Sequence, residues 1–374
     1  VHFPTIKDTV PANARAAEVK FTVTGHGSDN NGCSEFCSHN YYVYSNFVKV
    51  DSYTIWRADC GKNQLYPQSG TWIFDRGNWC PGALVHSGHH SLPGIAPGAV
   101  TNIGLQFDYY AGSGGASYTT EGTLFYYGGM KKVLDASIEQ IVAPTRDENH
   151  FRENPTCGTP VIHVKNRGAA KIDSILVEYW VDSATKGTYT WVGTLRTFDE
   201  TDITLPTLPD LIKTTGDTTR HLFTARILSV NGAPDADRTN NIMRSQFKKA
   251  PLWPSSFKIS FRTNNQRIAP TSNQCETTWG IYDMDGNLVK GRLEANINTL
   301  NVDTLNLPTG CYKLVITDGS CDGLHFWLWD ANPSVGINAG VFTINKLTSG
   351  TPSIPLNGYT YSGNYGNDFG CGFT

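Results

Sequence analysis

Two cysteine pairs within residues 23–82 constrain the fold of this chain more than any other feature. Cys33 and Cys37 are four positions apart, and Cys60 and Cys80 are twenty apart. The SDNNG run and the glycines around the first pair favour a loop over a helix. In the chain-entropy treatment, a bridge within the first pair contributes roughly 2 kcal/mol and one within the second about 3 kcal/mol. We therefore expect the short ring to act mainly by fixing local geometry.

A single carboxylate lies inside the short cysteine pair. Glu35 stands midway between Cys33 and Cys37. A carboxylate held on a rigid loop can bind sugar hydroxyls or orient a water molecule. The alternative is that Glu35 is a solvated acid in a structural disulfide loop.

The same stretch carries residues that commonly occur together in saccharide sites. Arg76 and Trp79 precede Cys80, Trp72 lies a few residues earlier, and His26 stands between two glycines. Aromatic rings stack on the CH faces of sugars, and charged planar groups bond hydroxyls through two atoms. The alternative is that both tryptophans belong to the core of a small β domain.

The ordered motifs GHG, GCSEFC, DCG-x-N, PQ-x-GTW and DR-x-x-WCPG resemble the second jelly-roll lobe of the peptide-N-glycosidase F family over residues 10–130. That family consists of secreted amidases that cleave the bond between asparagine and the first GlcNAc of N-linked glycans. The resemblance implies that Glu35 lines the active cleft and that Arg76 and Trp79 contact substrate. It also implies a jelly-roll sandwich fold.

The chain departs from this family in two respects. His26, Gly27 and Ser28 stand where the family has tryptophan, glycine and histidine, which changes that contact with the glycan. The family's principal catalytic aspartate lies in a first jelly-roll lobe, and neither end of the lobe in this chain carries a stretch that matches it. We therefore expect a fragment or a binding relative, which needs an upstream lobe for a complete amidase site.

The composition indicates an all-β protein of an oxidising compartment. Gly, Thr, Asn, Ser, Tyr and Trp are prominent, which suits strands and turns. Nine cysteines in such a chain indicate a secreted or cell-surface protein. The net charge of −3 with no basic block argues against nucleic acid, and no apolar run approaches the length of a membrane span. The chain begins at Val1, which fits a processed product.

We predict three domains. Residues 1–130 form the jelly-roll lobe, residues 131–248 an immunoglobulin-like spacer, and residues 249–374 a C-terminal β-sandwich module like those of secreted bacterial proteins. In the lobe, YYVYSNFVKV and SYTIWRAD are predicted to be strands, and GALVHSGHHSLPGIAPGAV is predicted to be a connection.

The remaining cysteines leave the pairing open. Cys275, Cys311, Cys321 and Cys371 allow three connectivities. We predict Cys311–Cys321 across a hairpin, with Cys275–Cys371 tying down the tail. Cys157 is then the unpaired residue, with a buried free thiol as its structural role.

A histidine cluster raises the question of a metal. His86, His89 and His90 have a spacing that could bind copper or zinc, and it weakly resembles the copper monooxygenases, which have paired jelly rolls. Because no partner motif accompanies the cluster, we predict loop histidines with no metal and no cofactor.

Two functions remain. The first is the second lobe and accessory modules of a peptide-N-glycosidase F-like amidase, a hydrolase of the Asn-GlcNAc linkage of N-glycoproteins. Glu35 and Arg76 are its predicted catalytic residues, and His26, Trp79 and Trp72 shape its sugar subsite. The alternative is a glycan-binding or surface-attachment protein without turnover.

Overall fold

The computed structural model describes most of the chain. The described residues are 4–28, 33–60, 65, 68, 71–72, 74–108, 115–147, 150, 157–212, 219–250, 252–319, 323–325, 334, 336, 338–347, and, as backbone, 355–361 and 368–373. Within them there are twenty-two strands and one four-residue helix. The predicted all-β class is therefore confirmed. No helix in these ranges is both long and apolar enough to cross a membrane.

The chain divides into two compact units. The first comprises Val1–Leu65 and Thr71–Lys131, and the second comprises Tyr66–Gly70 and Lys132–Thr374.

The first unit contains seven strands in two antiparallel sheets. The strands are β1 (Ile6–Thr9), β2 (Ala16–His26), β3 (His39–Ser45), β4 (Val48–Ile55), β5 (Ser87–Ser91), β6 (Val100–Phe107) and β7 (Ser117–Tyr127). One sheet has the order β1-β6-β3-β4 and the other β5-β2-β7.

Alternating apolar residues build the core of this first unit. Val19, Phe21 and Val23 are fully buried on β2, with polar residues between them. A strand places successive side chains on opposite faces, so this alternation gives one face to the core. Burial of one such side chain contributes about 1.5–3 kcal/mol. The result is a rigid sandwich, from whose edges the loops that follow β2 and β4 extend.

Two local predictions for this unit are wrong. The run YYVYSNFVKV is not one strand, because a two-residue turn at Asn46 and Phe47 separates β3 from β4. The predicted connection at residues 82–100 contains strand β5, which pairs with β2 through Val19 and His90. The turn lacks the glycine that usually marks a two-residue hairpin, and pairing of β5 with the distant strand β2 overrides its local composition.

The second unit contains the remaining elements. They are β8 (Ala136–Ala143), β9 (Val161–Asn166), β10 (Ile172–Val181), β11 (Gly187–Leu195), β12 (Glu200–Thr204), α1 (Pro209–Ile212), β13 (His221–Val230), β14 (Ile242–Phe247), β15 (Ser256–Arg262), β16 (Thr278–Tyr282), β17 (Leu288–Arg292), β18 (Leu300–Asn306), β19 (Tyr312–Thr317), β20 (Val341–Lys346), β21 (Pro355–Tyr361) and β22 (Asp368–Phe373).

These strands form four sheets around two hydrophobic cores. Sheets β11-β10-β13-β14 and β12-β9-β8 enclose a core that includes Val177 and Phe223. Sheets β18-β15-β20-β21 and β17-β16-β19-β22 supply a second core that includes Phe257 and Trp279. The division of residues 131–374 near residue 248, and the immunoglobulin-like nature of the first half, stay predictions.

A disulfide in the second unit corrects the predicted pairing. Cys157 bonds to Cys311, with 5.7 Å between their Cα atoms. The two residues form a buried cluster with Ala250, and Met284 packs against this cluster. Pairing requires Cα and Cβ atoms close in space and is indifferent to separation along the chain. The predictions of an unpaired Cys157 and of a Cys311–Cys321 bridge are therefore wrong.

Cys275 has a free thiol. Its thiol is buried and lies 3.4 Å from Asn264 Oδ1. Burial raises the pKa of the Cys275 thiol above its ordinary value, which favours the neutral form. The predicted Cys275–Cys371 bridge is wrong, since Cys275 forms no disulfide. Cys321 and the Cys371 side chain lie outside the described part of the structure.

A histidine on β9 makes the stability of the second unit depend on pH. His163 Nδ1 bonds to Asp202 Oδ1 at 2.7 Å, and its Nε2 lies 3.8 Å from Glu200. The nearby Glu200 carboxylate is the main cause that raises the pKa of His163 to about 9, and Asp202 adds to it. Because the folded pKa exceeds the ordinary value of about 6.5, the stabilisation is complete below pH 6.5 and is lost as pH rises through 9.

We expect His163→Gln to lower the free energy of unfolding by about 1 kcal/mol at pH 6, the upper end for half-exposed ion pairs. At pH 10 the same comparison should give a difference near zero. Urea unfolding of both proteins at the two pH values measures it. An equal difference at both pH values would show that His163 stabilises the fold by packing alone.

Candidate functional site

The loop after β2 holds the Glu35 carboxylate in a fixed position. The predicted disulfide between Cys33 and Cys37 is present. Gly27, at a φ of +72°, donates its N–H to Glu35 Oε2 at 3.0 Å, and its carbonyl accepts from the N–H of Glu35 at 3.1 Å. A left-handed backbone of this kind favours glycine. Glu35 is therefore tied to one residue through both backbone and side chain.

The same loop lies so close to β2 that a side chain would not fit between them. A Cβ atom on Gly25 would stand 1.9 Å from the Ser34 carbonyl oxygen. Glycine at this position therefore permits the approach that brings the cysteine ring against the strand.

Arg76 is the cationic partner of Glu35. Its Nη1 donates to Glu35 Oε1 at 3.0 Å, and its Nε donates to the Phe74 carbonyl at 3.2 Å. Its Nη2 donates to the carbonyl and the hydroxyl of Thr71. The Arg76 side chain is 3% exposed, against 18% for that of Glu35. Burial lowers the pKa of Arg76, and the Glu35 charge acts in the opposite direction.

Two aromatic rings contact the Arg76 guanidinium. Its central carbon lies 5.1 Å from the centre of the Phe36 ring and 4.7 Å from that of Trp79. The His26 ring follows, 5.2 Å from Trp79, so that four planar groups lie in series. Each cation–π contact of this kind is worth about 0.5–2 kcal/mol. The series makes the Glu35 region rigid.

Hydrogen bonds to β2 hold Trp79 and His26 in place. Trp79 Nε1 donates to the Gly25 carbonyl at 2.8 Å, and His26 Nε2 bonds to the Thr24 hydroxyl at 2.8 Å. Both rings are half-buried, so each has a surface that meets solvent. The structure thus brings His26, Glu35 and Trp79 to one region of the first unit.

Two predicted site residues lie beneath the surface. Trp72 is 1% exposed, so its ring is buried. Burial agrees with the alternative of a core tryptophan and not with a ring that contacts sugar. Arg76 is 2% exposed, with its nitrogens bonded to Glu35, Thr71 and Phe74. Glu35 therefore stands between Arg76 and solvent.

Phe36 was not predicted and lies at the centre of the site. It is 38% exposed, stacks on Arg76, and contacts Phe74 edge to face at 6.4 Å. Its position inside the cysteine ring, next to Glu35, is the signal that could have identified it.

A second predicted disulfide anchors the loop that carries Arg76. Cys60 and Cys80 are bonded and buried. The backbones of Arg57 and Arg76 also pair, with N–H to carbonyl distances of 2.8 and 3.1 Å. The loop is thus attached next to the end of β4, which fixes the position of the Arg76 backbone.

The histidine cluster does not converge. His89 and His90 are consecutive on β5 and therefore point to opposite faces of the sheet. The buried His90 ring joins Tyr41 and Asp51, each at 2.8 Å, while the exposed His89 bonds to Glu18. Among the described residues no three His, Cys, Asp or Glu side chains are grouped to hold a metal ion. This geometry gives the copper monooxygenase alternative no support.

Residues 3–106 match the family model described as peptide-N-glycosidase F, C terminal. The first unit is peptide-N-glycosidase F-like. The resemblance predicted from the motifs around Glu35 and Arg76 is thereby confirmed for this unit, and the match does not extend into the second unit. We refer to the first unit below as the peptide-N-glycosidase F-like lobe.

Solved structures of peptide-N-glycosidase F and of PNGF-II align with about a third of the chain. Peptide-N-glycosidase F of Flavobacterium meningosepticum, titled a glycosylasparaginase, is 23% identical over 34% of this chain and 45% of its own, with a TM-score of 0.31. A recombinant peptide:N-glycanase F is 23% identical over 33% and 42%, with a TM-score of 0.30. PNGF-II is 22% identical over 33% and 24%, with a TM-score of 0.29.

The chain thus spans less than half the length of each of these structures. Overlaps of this size and score carry no functional argument. No curated protein sequence matches the chain.

Proposed function

We propose that this chain contributes the glycan-contacting lobe of a peptide-N-glycosidase F-like amidase, which acts on the bond between asparagine and the first GlcNAc of N-glycoproteins. Glu35 is its central residue. The observation that carries the proposal is the ion pair between Glu35 and the buried Arg76. Glu35 lies inside the Cys33–Cys37 ring, and its carboxylate still reaches solvent. The family match of the surrounding sequence supports it.

The Glu35 carboxylate has acceptor capacity to spare. Each of its oxygens can accept about two hydrogen bonds, and Arg76 and Gly27 occupy one on each. The remaining positions suit a sugar hydroxyl or the water that attacks the amide. Because Arg76 already fixes the carboxylate, little reorganisation is needed when the substrate arrives.

Arg76 acts in this proposal as a positioning residue. The sequence predicted direct contact with the glycosylamide, but burial places the guanidinium behind Glu35. Trp79 and His26 provide half-exposed ring faces for the sugar next to it.

The test is deglycosylation of a denatured N-glycoprotein by the full native gene product and by its Glu35→Gln variant. We expect Glu35→Gln to reduce kcat by about 100-fold or more, the usual contribution of a group that orients or activates water. The matched control is Glu121→Gln, which removes an exposed carboxylate from β7 of the same lobe. Equal release by all three proteins would contradict the role of Glu35.

The burial of Arg76 favours a second function, glycan binding without turnover. Amide hydrolysis requires stabilisation of the negative charge that develops on the carbonyl oxygen. The cation beside Glu35 is 2% exposed, which leaves little of its surface for contact with a substrate. A binding lobe would hold the chitobiose core through Glu35 and release no glycan, so the release assay separates the two functions.

The same proposal places the protein outside the cytoplasm, secreted or on the cell surface. Three disulfides in the described residues are compatible with an oxidising compartment, where such bonds persist. N-glycoproteins would be encountered there as substrates or ligands.

A further inference from the structure

The outer face of the β1-β6-β3-β4 sheet contains a hollow remote in sequence from the Glu35 loop. Its volume is about 290 Å³. It lies over strands β3 and β6 and beside the turn between β3 and β4. The residues that line it are Thr5, Tyr44, Phe47, Asn102, Gly104, Leu105 and Gln106. We propose that this hollow binds a neutral pyranose ring, as a saccharide site additional to Glu35.

The hollow exists because Gly104 has no side chain. Asn102, Gly104 and Gln106 alternate on β6 and therefore share one face of the sheet. Gly104 pairs with Tyr44 on β3, and an added Cβ would meet only the Tyr44 Cβ atom, at 3.6 Å. The space above Gly104 is thus open, with the Tyr44 ring on one side and two carboxamides at its ends.

Phe47 lines the hollow and has a strained backbone conformation. It occupies the two-residue turn between β3 and β4 with a φ of +67°, next to Asn46 at +49°. Hairpin turns of this kind favour glycine at the second position, because a bulky side chain is strained at positive φ. Phe47 is nevertheless 77% exposed, so packing into the core does not offset the strain. Strained residues concentrate at functional sites, and an exposed ring beside a hollow suits stacking on a sugar.

The turn is held in place by β6. Asn46 Oδ1 accepts the Asn102 N–H at 2.9 Å, and the Asn46 N–H donates to the Asn102 carbonyl at 2.8 Å. These bonds use the Asn102 backbone and leave its side chain for other partners. Phe47 therefore has a fixed position relative to the carboxamides.

The polar groups of the hollow are uncharged and available. In the described part of the chain, the side chains of Thr5, Asn102 and Gln106 make no hydrogen bond. The nearby Lys49 ammonium is placed over the Tyr42 ring, 4.2 Å from its centre. Carboxamides and a hydroxyl can donate to and accept from sugar hydroxyls, so the residues that line the hollow match a neutral sugar. The volume lies at the lower end for small-molecule sites, which limits the ligand to one or two rings.

Saturation-transfer NMR with the methyl glycosides of mannose, galactose and N-acetylglucosamine tests the proposal on the full chain. We expect transfer to at least one of the three. Phe47→Gly and Gly104→Val should weaken binding about five- to tenfold, the equivalent of one aromatic contact. Phe47→Gly should also raise the midpoint of thermal unfolding, because it relieves the strained turn. Valine at position 104 fills the hollow without a backbone clash.

Two controls separate this site from other surfaces. Phe125→Ala removes an aromatic ring that is 38% exposed on the other sheet, and Glu121→Ala removes an exposed acid from the same strand, β7. Both should bind the glycoside as the unsubstituted protein does.

Four results would overturn the proposal. They are no transfer to any of the three glycosides, unchanged transfer in Phe47→Gly and Gly104→Val, loss of transfer in Phe125→Ala, or a lowered unfolding midpoint in Phe47→Gly. The function proposed for Glu35 is judged by glycan release, so the two can fail independently.

Discussion

Arg76→Ala is expected to destabilise the peptide-N-glycosidase F-like lobe by about 3 kcal/mol, the lower end for removal of one partner from a buried ion pair. The change removes the cation held between the Phe36 and Trp79 rings. It also removes the hydrogen bonds that the guanidinium donates to the carbonyls of Thr71 and Phe74. Glu35 reaches solvent, so its remaining charge adds less than a buried one would.

Urea unfolding, followed by tryptophan fluorescence, measures this loss. Arg15→Ala is the matched control, because Arg15 is an exposed arginine in the same unit that bonds only to nearby backbone carbonyls. The control should change the free energy of unfolding by less than about 0.5 kcal/mol. If both variants lose the same small amount, Arg76 is not the residue that holds the Glu35 loop.

Replacing Cys157 and Cys311 together by serine is expected to cost the second unit about 5 kcal/mol. The bond closes a ring whose ends are 154 positions apart, and the chain-entropy treatment gives a loss of this size for so long a ring. The bond also packs against Ala250, so the substitution leaves polar atoms in a partly apolar site. Denaturant unfolding under non-reducing conditions gives the value.

The Cys33→Ser, Cys37→Ser double variant is the internal comparison. Its residues are four positions apart, and the same treatment gives about 2 kcal/mol for that ring. Peptide mapping of the non-reduced protein establishes the pairing independently. Recovery of a peptide that joins Cys311 to Cys321 would show that the bond assigned here is wrong.

The parts of the fold that the sequence predicted well are those that depend on local pattern. The bridges within the two closely spaced cysteine pairs, Cys33–Cys37 and Cys60–Cys80, are examples. The turn at Asn46 and Phe47 was missed because it lacks the glycine that marks such turns. The function inferred for the hollow beside it accounts for that missing glycine.

Features that depend on distant segments could not be derived. The partner of Cys157 lies 154 positions away, and no local spacing points to it. Strand β5 lies in a glycine- and proline-rich stretch, and its pairing with β2 determines its structure.

The sequence predicted which residues form the candidate site more accurately than it predicted how deeply each side chain is buried. Sequence motifs identified Glu35, Arg76, Trp79 and His26, and the structure brings these four side chains together. Motifs carry no information about burial, so Trp72 and Arg76 were expected at the surface and lie beneath it. The exposure of each side chain depends on how the two disulfide-bonded loops lie against β2. This arrangement can be seen only in the folded structure.

Calorimetric titration of the chain with chitobiosyl-asparagine tests most directly whether Glu35 contacts glycan. We predict measurable binding, weakened about tenfold or more in Glu35→Ala through loss of hydrogen bonds to a charged acceptor. Glu121→Ala, which changes an exposed acid of the same lobe, should bind as the unsubstituted chain does. Equal affinity in all three proteins, or no binding by any of them, would contradict a glycan-contacting role for Glu35.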